Sequence, residues 1–173
     1  DFAGGADDLV IYHFSISCPR ALEILKRCKG FRVVKYHNVT PAEFFRDYCS
    51  ELEAACEGGR AELPAIVDLG CELYLGASTY NIDELRALGV PKDRSGVLAP
   101  FHRVEEMVEA EADLELLRAL SDGARNFLMV GRLAPNKAYL DLIDAFSACA
   151  RMLDEPARLI LVGHLSRRSF LPS

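Results

Sequence analysis

Arg132 and Lys137 stand five residues apart on either side of one turn. The turn follows a short apolar run, Phe127 to Val130, closed by Gly131. After Pro135 and Asn136 a helical pattern begins. Leu140, Ile143, Ala145, Phe146 and Ala150 recur at helical spacing, with Asp141, Asp144 and Arg151 off that stripe. A strand, a Gly turn, a basic loop and then a helix present a helix N-terminus to an anion. This spacing predicts a diphosphate-binding corner at Gly131, Arg132 and Lys137. An ordinary strand-to-helix loop with two solvated cations has the same spacing.

The corner differs from the common phosphate loops. A Walker loop runs Gly-x-x-x-x-Gly-Lys-Ser/Thr, whereas here Asn136 replaces the second Gly and Ala138 the Ser/Thr. No Gly-x-Gly-x-x-Gly occurs, so a dinucleotide fingerprint is absent. His37 ends a predicted strand just before a helix, where its imidazole reaches a ligand or else bonds nearby backbone. For His13 the spacing favours a satisfied core histidine over a functional one. His102 and His164 fall in loops. Ser78 lies in GASTY, where Tyr80 stands in place of the last Gly of a nucleophile elbow, so it reads as a helix cap. No pair of carboxylates is spaced for glycoside hydrolysis. No Cys/His spacing fits a zinc site.

Strands and helices must alternate to place these residues. Leu9 to Phe14 reads as a buried strand, Pro19 opens a helix, and Gly30 stops it. Phe31 to Asn38 is the second strand, which makes a parallel βαβ unit. Thr40 and Pro41 are suited to cap and start a long helical region reaching about Leu69. That region should break near Gly58-Gly59 and again at Pro64. Glu72 to Ser78 is a third strand, Tyr80 to Leu88 a helix closed by Gly89, and Ser95 to Pro100 a fourth strand. A second βαβ follows, with Arg158 to Gly163 as its closing strand. The resulting expectation is two Rossmann-like parallel-sheet halves. Residues 1–100 form the first and 123–173 the start of the second, with an acidic connection at 101–122 that ends in a short helix. His13, His37, Ser78 and Arg132 then all lie at carboxyl ends of strands, where such sheets bind ligands.

Composition sets wider limits. The 173 residues carry a net charge of −6, which argues against a nucleic-acid partner. No apolar run approaches the roughly 20 residues that span a bilayer. The start, DFAGGADD, has no signal-peptide pattern and no initiator Met, so the chain reads as a processed product or a piece of a longer one. Six cysteines without paired spacing read as reduced thiols, most of them buried in helices, in a cytoplasmic protein.

Four stretches together resemble the retaining nucleotide-sugar glycosyltransferases of family 4, which have the two-domain GT-B fold. They are DLVIYHFS, VVKYHNVTPAEFF, LYLGASTYNIDELRALGV followed by VLAPF, and NFLMVGRLAPNKAYLDLIDAF. They occur in the family's order, and Val-Gly-Arg-x-x-x-x-Lys before a helix is the most specific. The resemblance implies that Arg132 and Lys137 hold the donor diphosphate, and that His37 faces the transfer site from the acceptor domain. Ser78 matches the Ser ending the last acceptor-domain crossover. It also implies a nucleotide-diphosphate sugar as donor, a saccharide or lipid-linked acceptor, and no metal or other cofactor. Such enzymes work in the cytoplasm, some at the inner face of the membrane. The family's N-terminal Gly-rich loop and its second-domain Glu pair, with seven residues between the two, have no counterpart here. The segment therefore corresponds to the middle of such an enzyme, and an incomplete chain of this kind is expected to self-associate. A non-catalytic nucleotide- or sugar-phosphate-binding α/β protein is the alternative.

Overall fold

The structure, a computed structural model, describes residues 5–164. The chain divides into two compact units, residues 1–101 and 102–173. Both are α/β with parallel sheets of Rossmann-like type.

In the first unit β1 (Leu9–Phe14), β2 (Phe31–Tyr36), β3 (Leu73–Gly76) and β4 (Ser95–Val97) lie side by side in chain order, all parallel. Helices α1 (Pro19–Arg27), α2 (Ser50–Asp68) and α3 (Thr79–Ala87) make the crossovers. β2 is buried from Val33 to Tyr36, as a central strand covered on both faces should be. Phe14, Val34, Tyr36, Ile66, Tyr74, Ile82 and Leu85 are among the fully enclosed side chains of this unit.

The long helical region departs from expectation in two ways. Thr40 and Pro41 do not open an α-helix: Pro41 is extended, with ψ 131°, and precedes a 3-10 turn over Ala42–Phe45. The α-helix starts after Cys49, and it then runs unbroken through Gly58, Gly59 and Pro64. Cys56, Gly59, Leu63 and Ile66 recur on one buried face, and that packing outweighs the poor propensity of Gly and Pro. Gly59 serves the packing directly, because a Cβ there would sit 2.9 Å from the backbone nitrogen of Ser17. The loop after β1 presses onto α2 at this point. The Ser17 N–H donates to the Ala55 carbonyl, and Glu62 accepts from the Ser17 hydroxyl (2.5 Å) and the Cys18 N–H (3.3 Å). Glu62 therefore caps α1 from a neighbouring helix.

In the second unit α4 (Val104–Val108) and α5 (Leu114–Leu120) precede β5 (Arg125–Val130), α6 (Tyr139–Ala150) and β6 (Ala157–Val162). Asp113 caps α5, accepting from the N–H groups of Glu115 and Leu116. β5 and β6 pair in parallel along their full length. The region around 101–122 thus carries two short helices where the sequence suggests one. The thiols also differ from expectation. Cys28, Cys56 and Cys71 are buried, but Cys18 and Cys149 are exposed, and Cys49 is the residue before α2. Cys149 is exposed on α6, whose Phe146 ring packs edge-on to Phe127 with centroids 5.6 Å apart. Among the described residues no helix is long and apolar enough to cross a membrane.

Candidate functional sites at two strand ends

In the first unit the chain leaves β2 with its hydrogen-bond ladder still running. The His37 N–H donates to the Phe14 carbonyl at 2.9 Å. That places the His37 ring beside His13, at the end of β1. His13 Nδ1 and His37 Nε2 are hydrogen-bonded at 2.9 Å, and the rings stack with centroids 5.0 Å apart. The structure therefore corrects the reading of His13. It is an exposed residue paired with His37, not a core histidine, because the last residues of β1 alternate and only Phe14 turns inward. One nitrogen of the pair donates and the other accepts. His37 Nδ1 and His13 Nε2 are left for a ligand. Burial, then His13, then Lys35 hold the His37 imidazole below its ordinary value, so it is neutral at pH 7.

The turn after His37 is anchored from behind. Asn38 adopts a left-handed backbone with φ 74°, a conformation Asn tolerates better than most residues. Its side-chain carbonyl accepts from the Tyr36 hydroxyl and from Arg60 of α2, each at 3.2 Å. Glu84 of α3 takes the other Arg60 contact and the Tyr36 hydroxyl at 2.5 Å. Burial and the Glu84 carboxylate push the Tyr36 phenol well above its ordinary value, which keeps it a donor. Ser78 is a cap, as its context suggests. It accepts from the Asn81 N–H, and its own hydroxyl is bonded to Asn81 Oδ1 at 2.9 Å, so it is engaged at the start of α3.

In the second unit Gly131 and Gly163 lie together beyond β5 and β6. The Gly131 N–H donates to the Val162 carbonyl at 2.9 Å, and the Gly131 carbonyl accepts from the Tyr139 hydroxyl at 2.6 Å. A Cβ on Gly163 would collide with the Gly131 carbonyl, so the two strand ends close on each other only because Gly163 lacks one. The helix does not begin at Pro135. Pro135–Lys137 form a 3-10 turn, Ala138 is left-handed at φ 53°, and α6 starts at Tyr139. The left-handed residue interrupts the helical ladder and sets Lys137 one turn ahead of α6. Among the described residues no side chain caps α6. Arg132 and Lys137 are both exposed, and neither side chain has a hydrogen-bond or ion-pair partner among the described residues. Between them Asn136 Oδ1 is buried and likewise unpartnered.

Arg132, Lys137 and Gly131 therefore share one loop in the second unit, and His13, His37 and Ser78 neighbour one another at strand ends in the first. Sequence reasoning missed Lys35, Asn38, Arg60 and Glu84. A lysine inside the apolar strand FRVVKY and an Asn directly after a strand were the available signals. Arg60 and Glu84 lie on ordinary amphipathic helices and gave none. No protein-family model and no curated protein matches this chain.

Proposed function

We propose that this chain is part of a retaining glycosyltransferase of GT-B type, acting on a nucleotide-diphosphate sugar. The observation that carries the reading is Arg132 and Lys137, two unpaired cations on one loop at the carboxyl end of a parallel sheet. The likeness of the surrounding stretch to the family's Val-Gly-Arg-x-x-x-x-Lys supports it.

On this reading the bond from the anomeric carbon to the diphosphate breaks while the acceptor hydroxyl attacks the same face of the sugar and passes its proton to an oxygen of the departing phosphate. Negative charge grows on the departing phosphate oxygens. Arg132, Lys137 and the uncapped N–H groups opening α6 meet that charge, and preorganised donors of this kind act most strongly where charge develops. Gly131 and Gly163 leave backbone room for the phosphates. His37 is neutral and held in place by His13 and by the anchored Asn38 turn. It offers Nδ1 to the transferring sugar as a hydrogen-bonding group. Ser78 supports the fold at this end of the sheet through its cap. The acceptor would be a saccharide or a lipid-linked one, met in the cytoplasm or at the inner face of the membrane. A non-catalytic nucleotide- or sugar-phosphate binder would use the diphosphate corner equally well, and turnover separates the two.

The test is release of nucleoside diphosphate from a panel of nucleotide sugars by the natural polypeptide that carries these residues. His37→Ala should lower kcat at least tenfold with the melting temperature unchanged. A lower melting temperature with full activity per folded molecule would make His37 structural.

A further inference from the structure

Lys35 has no partner that accounts for its position. It is only 6% exposed, yet among the described residues its ammonium makes no hydrogen bond and no ion pair. Its ammonium lies over the Phe101 ring, with Nζ 5.7 Å from the centroid. An ammonium taken out of water without a counter-charge is costly, and one aromatic face offsets only part of that.

Among the described residues, the titratable groups that share its face at this end of the sheet are imidazoles and not carboxylates. Lys35 pairs in register with His13, so both side chains share one face of the sheet. His37 follows two residues on, along the same ladder, and therefore shares that face. His13 is exposed, which leaves the cluster open to solvent on one side. If the histidine pair takes up one proton, one N–H fills the internal bond and each outer nitrogen carries another. Two N–H donors and an ammonium then face the same side, and nothing protein-borne among the described residues answers them.

We propose that Lys35, His13 and His37 form an oxyanion site at the carboxyl ends of β1 and β2, taking a phosphate or carboxylate group of a small-molecule ligand. Anion binding here stands on the first unit alone. That the ligand is the sugar acceptor, which would then be an anionic one, rests on the transferase reading.

The experiment follows the imidazole signals of the four histidines by NMR. The 173-residue chain is titrated with inorganic phosphate against chloride, at fixed pH and ionic strength. His13 and His37 should shift saturably while exposed His102 and His164 do not. Lys35→Met should weaken that binding about tenfold or more, the usual cost of a lost charged contact. Lys35→Arg should retain it. Lys35→Gln serves the same purpose as Met should the Met variant fail to fold, judged by circular dichroism. A parallel titration with acetate identifies the carrier: saturation by both anions means a carboxylate suffices, and by phosphate alone means a phosphate is required. Equal, non-saturating shifts on all four histidines, or unchanged affinity in the folded Lys35 variants, would overturn the site. Neither result bears on diphosphate binding at Arg132 and Lys137, which is measured separately.

Discussion

Glu72 ties the first unit together at the opposite end of the sheet from the histidines. It accepts from the Arg32 N–H at 2.7 Å and from the Arg32 guanidinium at 3.0 and 3.2 Å, while the same guanidinium reaches the Leu69 and Gly70 carbonyls. The Arg32 bonds hold the Glu72 carboxyl down at about 2, against an ordinary 4.5. The folded state thus prefers the carboxylate. Its contribution is complete above pH 4.5 and is lost as pH falls toward about 2. Urea midpoints of wild type and Glu72→Gln should therefore differ at pH 6 and converge as pH falls through that window. A gap that stays constant down to pH 2 would contradict the pairing. Single residues were legible in the sequence only where a strand end announced them. His37 and Arg132 stand at such ends. Lys35 was hidden because an apolar strand with one lysine reads as a strand with one edge position, and only the register with His13 shows what surrounds it.

At the scale of elements, α2 is where local preference and packing disagree. Gly-Gly and Pro signal breaks in any isolated helix, and the helix persists because its buried face closes over the loop after β1. Two substitutions should then act in opposite directions. Gly59→Ala improves helix propensity but drives a methyl group into the Ser17 backbone, so it should destabilise by about 1–3 kcal/mol. Pro64 is exposed in mid-helix, and Pro64→Ala should stabilise by up to about 3 kcal/mol. Thermal melts of both variants decide it. A stabilised Gly59→Ala would show that the close approach is not fixed. The strands were readable because their apolar runs end at glycines, prolines or polar turns; β2, β3 and β4 are shorter than expected, and β5 begins two residues earlier. Boundaries in the α6 corner were not readable, since nothing in the sequence marks Ala138 as left-handed.

Taken whole, the molecule repeats one arrangement in two units: a parallel sheet whose carboxyl-end loops carry cationic or titratable groups. The alternation of strands and helices made that class visible from the sequence. Many partners of the site residues were not visible, because they come from helices dozens of residues away, as Arg60 does for Asn38 and Glu84 for Tyr36. The large apolar side chains left exposed on β5 and β6, among them Leu128, Val130, Leu161 and Val162, belong to the same picture of a sheet that other surfaces could cover. The central claim is that Arg132 and Lys137 hold a diphosphate, and calorimetric titration with nucleoside diphosphates and with the matching nucleosides tests it most directly. Arg132→Ala and Lys137→Ala should each weaken diphosphate binding by about ten- to a hundredfold, equivalent to roughly 1.5–3 kcal/mol, and leave nucleoside binding almost unchanged. Arg132→Lys should recover only part of the loss, because a point charge does not reproduce a forked contact to two oxygens. Equal losses for diphosphate and nucleoside, or no loss for either, would contradict the account.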